Sequence, residues 1–100
     1  MKLSHGLFLG FVKLHILHHA SKEPVYGLWL IEELERHGYR LSPGTLYPIL
    51  HSLEEEKLLH VDSRVVDGKV RKYYSLTAKG KSALAEGKSK ALELIAEINE

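Results

Sequence analysis

The sequence contains no cysteine. Disulfides, thiolate zinc sites and thiol catalysis are therefore excluded. It also lacks any apolar run approaching the ~18 residues a membrane span needs, so no membrane partner is expected. The apolar start, Met1 to Val12, is followed by His15, His18 and His19, with no small-residue cleavage site. It does not read as a secretory signal, and the expected location is cytoplasmic. Internal repeats and low-complexity segments are missing. So is a catalytic constellation: there is no glycine-rich phosphate loop, no nucleophile motif and no acid pair placed by a scaffold. Glu54, Glu55 and Glu56 are consecutive and fan out around a helix, so they cannot converge on one substrate. The expectation is a protein that is not an enzyme and carries no cofactor.

What remains is a chain of 100 residues, 44% hydrophobic and 27% charged, the balance of a soluble globular domain. A domain this short buries a modest core. With disulfides excluded, a partner chain or very good helix packing must supply the rest. The net charge of +1 conceals an uneven distribution. Between Arg64 and Lys81 lie six basic residues, Arg64, Lys69, Arg71, Lys72, Lys79 and Lys81, against the single acid Asp67. The acids gather elsewhere, at Glu32, Glu33 and Glu35 and at Glu54 to Glu56. A basic segment of this kind suits phosphate, although a solvated surface would look the same.

Helical periodicity begins at Leu3 and runs to about residue 19, with Leu7, Phe11 and Leu14 on one stripe and Phe8, Leu9, Val12, Ile16 and Leu17 on others. A helix apolar around most of its circumference must be covered on more than one side. Residues 20 to 25 read as a polar link closed by Pro24. Tyr26 to His37 reads as a second helix with Leu28, Ile31 and Leu34 inward, Glu32, Glu33, Glu35 and Arg36 in water, and Gly38 after its end. A third helix carries Leu46, Ile49, Leu50, Leu53 and Leu58. It starts either at Ser42-Pro43, leaving Pro48 beyond the first turn, or at Thr45, leaving Pro48 within it. Leu59 to Val66 and Val70 to Leu76 are strand-like, and Asp67-Gly68 between them is a hairpin turn signal. Thr77 caps a last helix towards Glu100, with Leu84, Ala91, Leu92, Ile95 and Ile98 apolar and Gly80 and Gly87 weakening its first half.

Three helices, a β-hairpin and a fourth helix make a mainly α fold, a winged helix-turn-helix with an added helix. Its third helix offers its first turn to the DNA major groove, and the hairpin is the wing. The expected division is a winged-helix domain over residues 1–78, its first helix shared with a dimer interface, and a C-terminal dimerisation helix over 79–100.

Ser42-Pro43-Gly44-Thr45-Leu46-Tyr47-Pro48-Ile49-Leu50, with Leu53-Glu54-Glu55-Glu56-Lys57-Leu58 after it, resembles the PadR family of bacterial transcriptional regulators. Tyr26-Gly27 and Arg71-Lys72-Tyr73-Tyr74-Ser75-Leu76-Thr77-Ala78-Lys79-Gly80 are similar to that family too. The resemblance covers roughly residues 10 to 85. It implies a sequence-specific regulator of transcription, usually a repressor, working as a homodimer on a double-stranded operator. It also implies an interface built from the first and last helices and, in several members, a small aromatic or drug-like effector. This chain departs from the pattern at His51 and Ser52, where the family often has basic residues.

The candidate DNA-contacting residues are Ser42, Gly44, Thr45, Tyr47 and His51 on the third helix and Lys69, Arg71, Lys72 and Tyr74 on the wing. Hydroxyls at a helix start can bond phosphate oxygens; the competing role for Ser42 is capping and for Tyr47 packing. Tyr73 and Tyr74 point to opposite faces of the strand, so only one can face the core. Leu7, Phe8, Phe11, Leu14, Leu84, Ala91, Leu92, Ile95 and Ile98 are the candidate dimer residues, and the operator is then an inverted repeat. His15 and His19 have the spacing of a helical metal pair, but the helix offers no acid beside them, and no metal is assigned. The alternative function is a winged-helix protein–protein module, which a neutral or acidic wing would favour and this basic one does not.

Overall fold

The computed structural model describes residues 4–100. Leu3, the first residue of the expected helical stripe, lies outside them. Helix α1 spans His5–Lys22, and the Ser4 hydroxyl accepts from the Leu7 amide at 3.4 Å to cap it. Its buried face is Val12, Ile16, Leu17 and Ala20. The helix therefore runs three residues past the expected end, because Ala20 still has core to cover.

Residues 20 to 25 are not simply a polar link. Val25 is buried and exchanges two backbone hydrogen bonds with Tyr74, donating at 3.0 Å and accepting at 2.7 Å. It acts as a one-residue strand at the base of the hairpin. Helix α2 follows over Gly27–Arg36. Its inner face is Gly27, Leu30 and Leu34; Leu28, expected inward, is exposed. The Gly38 amide donates to Glu35 O and the Tyr39 amide to Leu34 O, the paired bonds that close a helix through a left-handed residue. Gly38 supplies that residue, with φ +88°.

Helix α3 spans Pro43–Glu55 with Ser42 as its N-cap. The earlier of the two possible starts is the real one. Pro43 occupies the position that loses no bond, and Pro48 sits inside the helix, where its missing N–H leaves one bond unmade. Buried Leu46, Ile49, Leu50 and Leu53 hold the helix against that loss. It stops before Leu58: Lys57 turns the chain at φ 62°, and its amide and that of Leu58 close onto Glu54 O and Leu53 O, each at 2.9 Å.

Strands β1 (Leu59–Val66) and β2 (Lys69–Leu76) pair antiparallel, from Leu59 opposite Leu76 to Val66 opposite Lys69. Asp67 and Gly68 both take positive φ, 53° and 77°, as the expected tight turn requires. Helix α4, Ala78–Ile98, starts at a compact knot. The Thr77 hydroxyl accepts from the Gly80 amide at 2.9 Å, while its amide donates to Leu58 O at 3.1 Å. The core is one cluster, with Val12, Ile16, Leu30, Leu34, Leu46, Leu50 and Leu53 sealed at its centre. The fold is the expected winged helix with a fourth helix that extends beyond the body, giving extents of 54 × 30 × 20 Å.

Candidate nucleic-acid interface

The first turn of α3 points away from the core, because Leu46, Ile49 and Leu50 occupy the inner face. Ser42, Pro43, Gly44 and Thr45 are all exposed. The Ser42 side chain makes no capping bond to the backbone; its Oγ lies 3.3 Å from Thr45 Oγ1 instead. Two hydroxyls thus sit together at the partially positive end of a helix, which is anion-binding geometry.

Tyr47 is 45% exposed and leans on the start of α2. A Cβ built on Gly27 would overlap the Tyr47 hydroxyl and lie 2.7 Å from its ring Cζ. Gly27 is therefore the seat of Tyr47. Gly27→Ala should push the ring outward at a cost near 1 kcal/mol, the low end for overpacking, since a side-chain tip can swing aside. In a Tyr47→Ala background the same change should cost almost nothing. Urea unfolding of the four-member cycle checks this; equal costs in both backgrounds would refute the contact.

Across from Tyr47 stands the wing. A cleft of about 640 Å³ separates them, lined by Tyr26, Gly27, Leu28 and Tyr47 on the helix side and by residues including Lys69, Arg71 and Lys72 on the other. Lys69 and Lys72 are exposed. Arg71 is braced: its guanidinium lies 4.1 Å from the Tyr26 ring centroid, and Nη1 donates to the Tyr73 hydroxyl at 3.5 Å. That hydroxyl holds the Arg71 pKa above its ordinary value. Arg64 covers the same Tyr73 ring at 4.4 Å. Stacked cation and ring pairs of this kind contribute about 0.5–1 kcal/mol each at exposed sites. The Arg71–Tyr26 pair joins the wing to the start of α2, whereas the Arg64–Tyr73 pair lies within the hairpin, so Arg71 positions the wing as well as charging it.

Tyr74, a candidate DNA contact, is corrected. It is 5% exposed, inside the core cluster and tied to Val25, and burial pushes its phenol pKa up. Tyr73 is the tyrosine near the surface. His51 is exposed but lies beside its own acids, with Nε2 3.3 Å from Glu55 Oε1 and Nδ1 3.9 Å from Glu54 Oε1. Lys79 donates to Glu56 O at 3.0 Å, so this end of the basic segment ties α4 to the end of α3. Tyr26 and Tyr73 were not singled out as wing supports in the sequence. Their pairing with Arg71 and Arg64 depends on strand register and on where α2 begins.

The candidate dimer residues are distributed along α1 and α4. Leu7, Phe11, Leu92, Ile95 and Ile98 are exposed, and Leu84 and Ala91 are half-buried beside them. Leu14 is engaged within its own chain, where its Cδ2 lies 2.6 Å from a Cβ built on Gly87. That glycine allows α1 and α4 to approach. Phe8 turns inward and packs at a tilt against Tyr39, ring centroids 5.4 Å apart. His15 and His19 meet a third histidine, His37 at the end of α2. Glu33, expected in water, is only 12% exposed beneath them and binds His37 and Arg36. The His37 hydrogen bond, followed by charge from Arg36 and the histidines, holds the Glu33 carboxyl below its usual pKa. Burial holds His15 and His19 low.

The family profile described as the transcriptional regulator PadR-like family matches residues 16–86. A Mycobacterium tuberculosis protein named transcriptional regulator Rv3488 is 54% identical over 87 residues, which are 87% of this chain and 81% of that protein. A PadR-like transcription factor from Bacteroides fragilis superposes with a TM-score of 0.84 at 34% identity, covering 94% of this chain and 92% of that one. A PadR-like transcriptional regulator from Bacillus cereus gives 0.81 at 35% identity, covering 90% and 89%.

Proposed function

The chain belongs to the PadR-like family of transcriptional regulators, and from that premise we propose that it acts as a homodimer on a double-stranded DNA operator. It is a regulator and not an enzyme. The observation that carries the DNA reading is the pair of exposed, uncapped hydroxyls at the start of α3, Ser42 and Thr45, with Lys69 and Lys72 across the cleft. In this reading the first turn of α3 enters the major groove and the wing lysines hold the flanking phosphates. His51 reads bases only after leaving Glu55. The winged-helix unit over residues 1–78 does the binding, and residues 79–100 join the two copies.

The finer regulatory reading is repression relieved by a small aromatic or drug-like effector in the cytoplasm. It is supported by an apolar cleft of about 490 Å³ between α1 and α4, lined by Phe11, Leu14 and Leu84 with His15 and His18. Among the described residues no helix is long and apolar enough to cross a membrane.

Two measurements test the DNA reading. Binding to operator fragments should weaken as salt rises, log K falling by ~0.9 per phosphate contacted for each unit of log salt. Lys72→Ala should reduce that slope by about 2, one phosphate on each half-site. Gly44→Ala should leave the fold as stable or more so, because the added Cβ meets only Ser42 Oγ at 3.7 Å and alanine is the better helix former. It should nonetheless weaken DNA binding about tenfold by holding the helix start away from the backbone. A salt-independent affinity would remove the wing from the mechanism.

A further inference from the structure

We propose that His15, His19, His37 and Glu33 form a binding site for a borderline transition-metal dication of the zinc class, joining α1 to the end of α2. The proposal stands apart from the DNA reading and does not depend on it.

The three histidines each offer one ring nitrogen, and these nitrogens all lie within 4.8 Å of one another. Two come from consecutive turns of α1 and the third from the C-cap of α2. A zinc ion with bonds of ~2.0–2.1 Å separates its tetrahedral ligands by ~3.4 Å, so side-chain rotations of about an ångström would close the set. Glu33 completes it. Its Oε2 lies 2.9 Å from His37 Nε2 and 3.6 Å from His19 Nε2, so two ring nitrogens already converge on one carboxylate oxygen. Arg36 holds the other oxygen, Oε1, at 2.9 Å, which fixes the carboxylate with Oε2 turned towards the histidines.

A second observation points to a missing ligand. His19 Nε2 is buried and has no hydrogen-bond partner; its 3.6 Å approach to Glu33 is too long for one. An unsatisfied buried polar atom is uncommon in a native fold, and a metal ion would satisfy this one. His15 and His37 already stack with ring centroids 4.8 Å apart, so the cap of α2 lies directly against α1. Imidazole nitrogens with one carboxylate select zinc, cobalt, nickel or cadmium over magnesium or calcium. With no cysteine in the chain, copper(I) has no soft donor here. Closing the set would fix the end of α2 against α1, next to the turn that leads to the start of α3.

Trp29 is the only tryptophan in the chain, and its ring lies 5.3 Å from that of His19. It reports on the site directly. The full chain, stripped with chelator, would be titrated with Zn²⁺ against a chromophoric competitor and with Co²⁺ by absorbance and Trp29 quenching. One ion per chain is expected, with micromolar or tighter zinc affinity and cobalt bands of a four-coordinate site. His37→Ala, His15→Ala and Glu33→Gln should each weaken zinc at least ~10-fold, and His60→Ala, an exposed histidine on β1, should change nothing. His37 is an exposed cap residue, so circular dichroism should show its variant folded. Millimolar affinity, or zinc binding that survives His37→Ala unchanged in the folded variant, would overturn the proposal.

Discussion

Ile95→Asp is expected to convert the protein into folded monomers and to lower operator binding at least ~100-fold, although Ile95 need not touch DNA. Ile95 is 53% exposed within its own chain, in the distal part of α4 with Leu92 and Ile98. An aspartate there breaks nothing in the core of its own subunit. In a two-fold interface, however, each side chain counts twice. Burying a large aliphatic side chain contributes ~1.5–3 kcal/mol, so losing two amounts to ~3–6 kcal/mol, or two to four decades in the dimer dissociation constant. Phe11→Asp, at an exposed apolar position of α1, should act alike. The loss of DNA binding follows from the proposed dimer, in which two recognition helices one helical turn apart would grip an inverted repeat together. Sedimentation velocity of both variants and the wild type checks the assembly, and fluorescence anisotropy with operator DNA checks the consequence. A wild-type protein that sediments as a folded monomer at micromolar concentration would refute the shared-helix dimer.

The largest effect on stability is expected at Gly80. A Cβ there would overlap the backbone oxygen of Leu58 and lie 2.7 Å from Leu76 Cδ1. The obstacle is main chain, so it cannot rotate away as Tyr47 can at Gly27. The same Leu58 oxygen accepts from the Thr77 amide, and the Gly80 amide donates to the Thr77 hydroxyl. Moving any one of these disturbs the knot that joins the end of α3, the base of the wing and the start of α4. Gly80→Ala should cost about 3 kcal/mol, the upper end for overpacking, and lower the melting temperature by about 10–20 °C for a domain of this size. Gly44→Ala, exposed and uncrowded, is the contrasting substitution. Thermal and urea unfolding compare them, and equal stabilities would show that the Gly80 contact relaxes freely.

The structure also explains why some features were legible in the sequence and others were not. Asp67-Gly68 took the expected turn because a two-residue hairpin needs positive φ at both positions, a demand met within four residues. Gly38 and Thr77 ended and began helices for equally local reasons. Pro48 left two helix starts open, since its cost depends on how firmly Leu46, Ile49, Leu50 and Leu53 are buried, and that is a tertiary quantity. Leu28, expected inward, is exposed and Leu30 is sealed in the core, because Leu28, Trp29, Leu30 and Ile31 are consecutive and periodicity over so short a helix leaves its inner face open. Tyr74 went inward and Tyr73 outward, a choice set by the bridge between Val25 and Tyr74, which joins residues far apart in the chain.

By itself, the sequence determined the order of elements, the winged-helix plan, the basic wing and the surplus of apolar surface on the first and last helices. Caps, turns and periodicity are written in neighbouring residues, and composition sums over the whole chain. Only the tertiary structure decided which strand tyrosine enters the core, that Arg71 and Arg64 brace the wing on aromatic rings, and that Gly27, Gly80 and Gly87 are points of close approach. It alone brought His37 and Glu33 to His15 and His19. These arrangements depend on how α1 packs against α2 and on the register of two strands, which are fixed by burying the core and have no signature in any short stretch of chain.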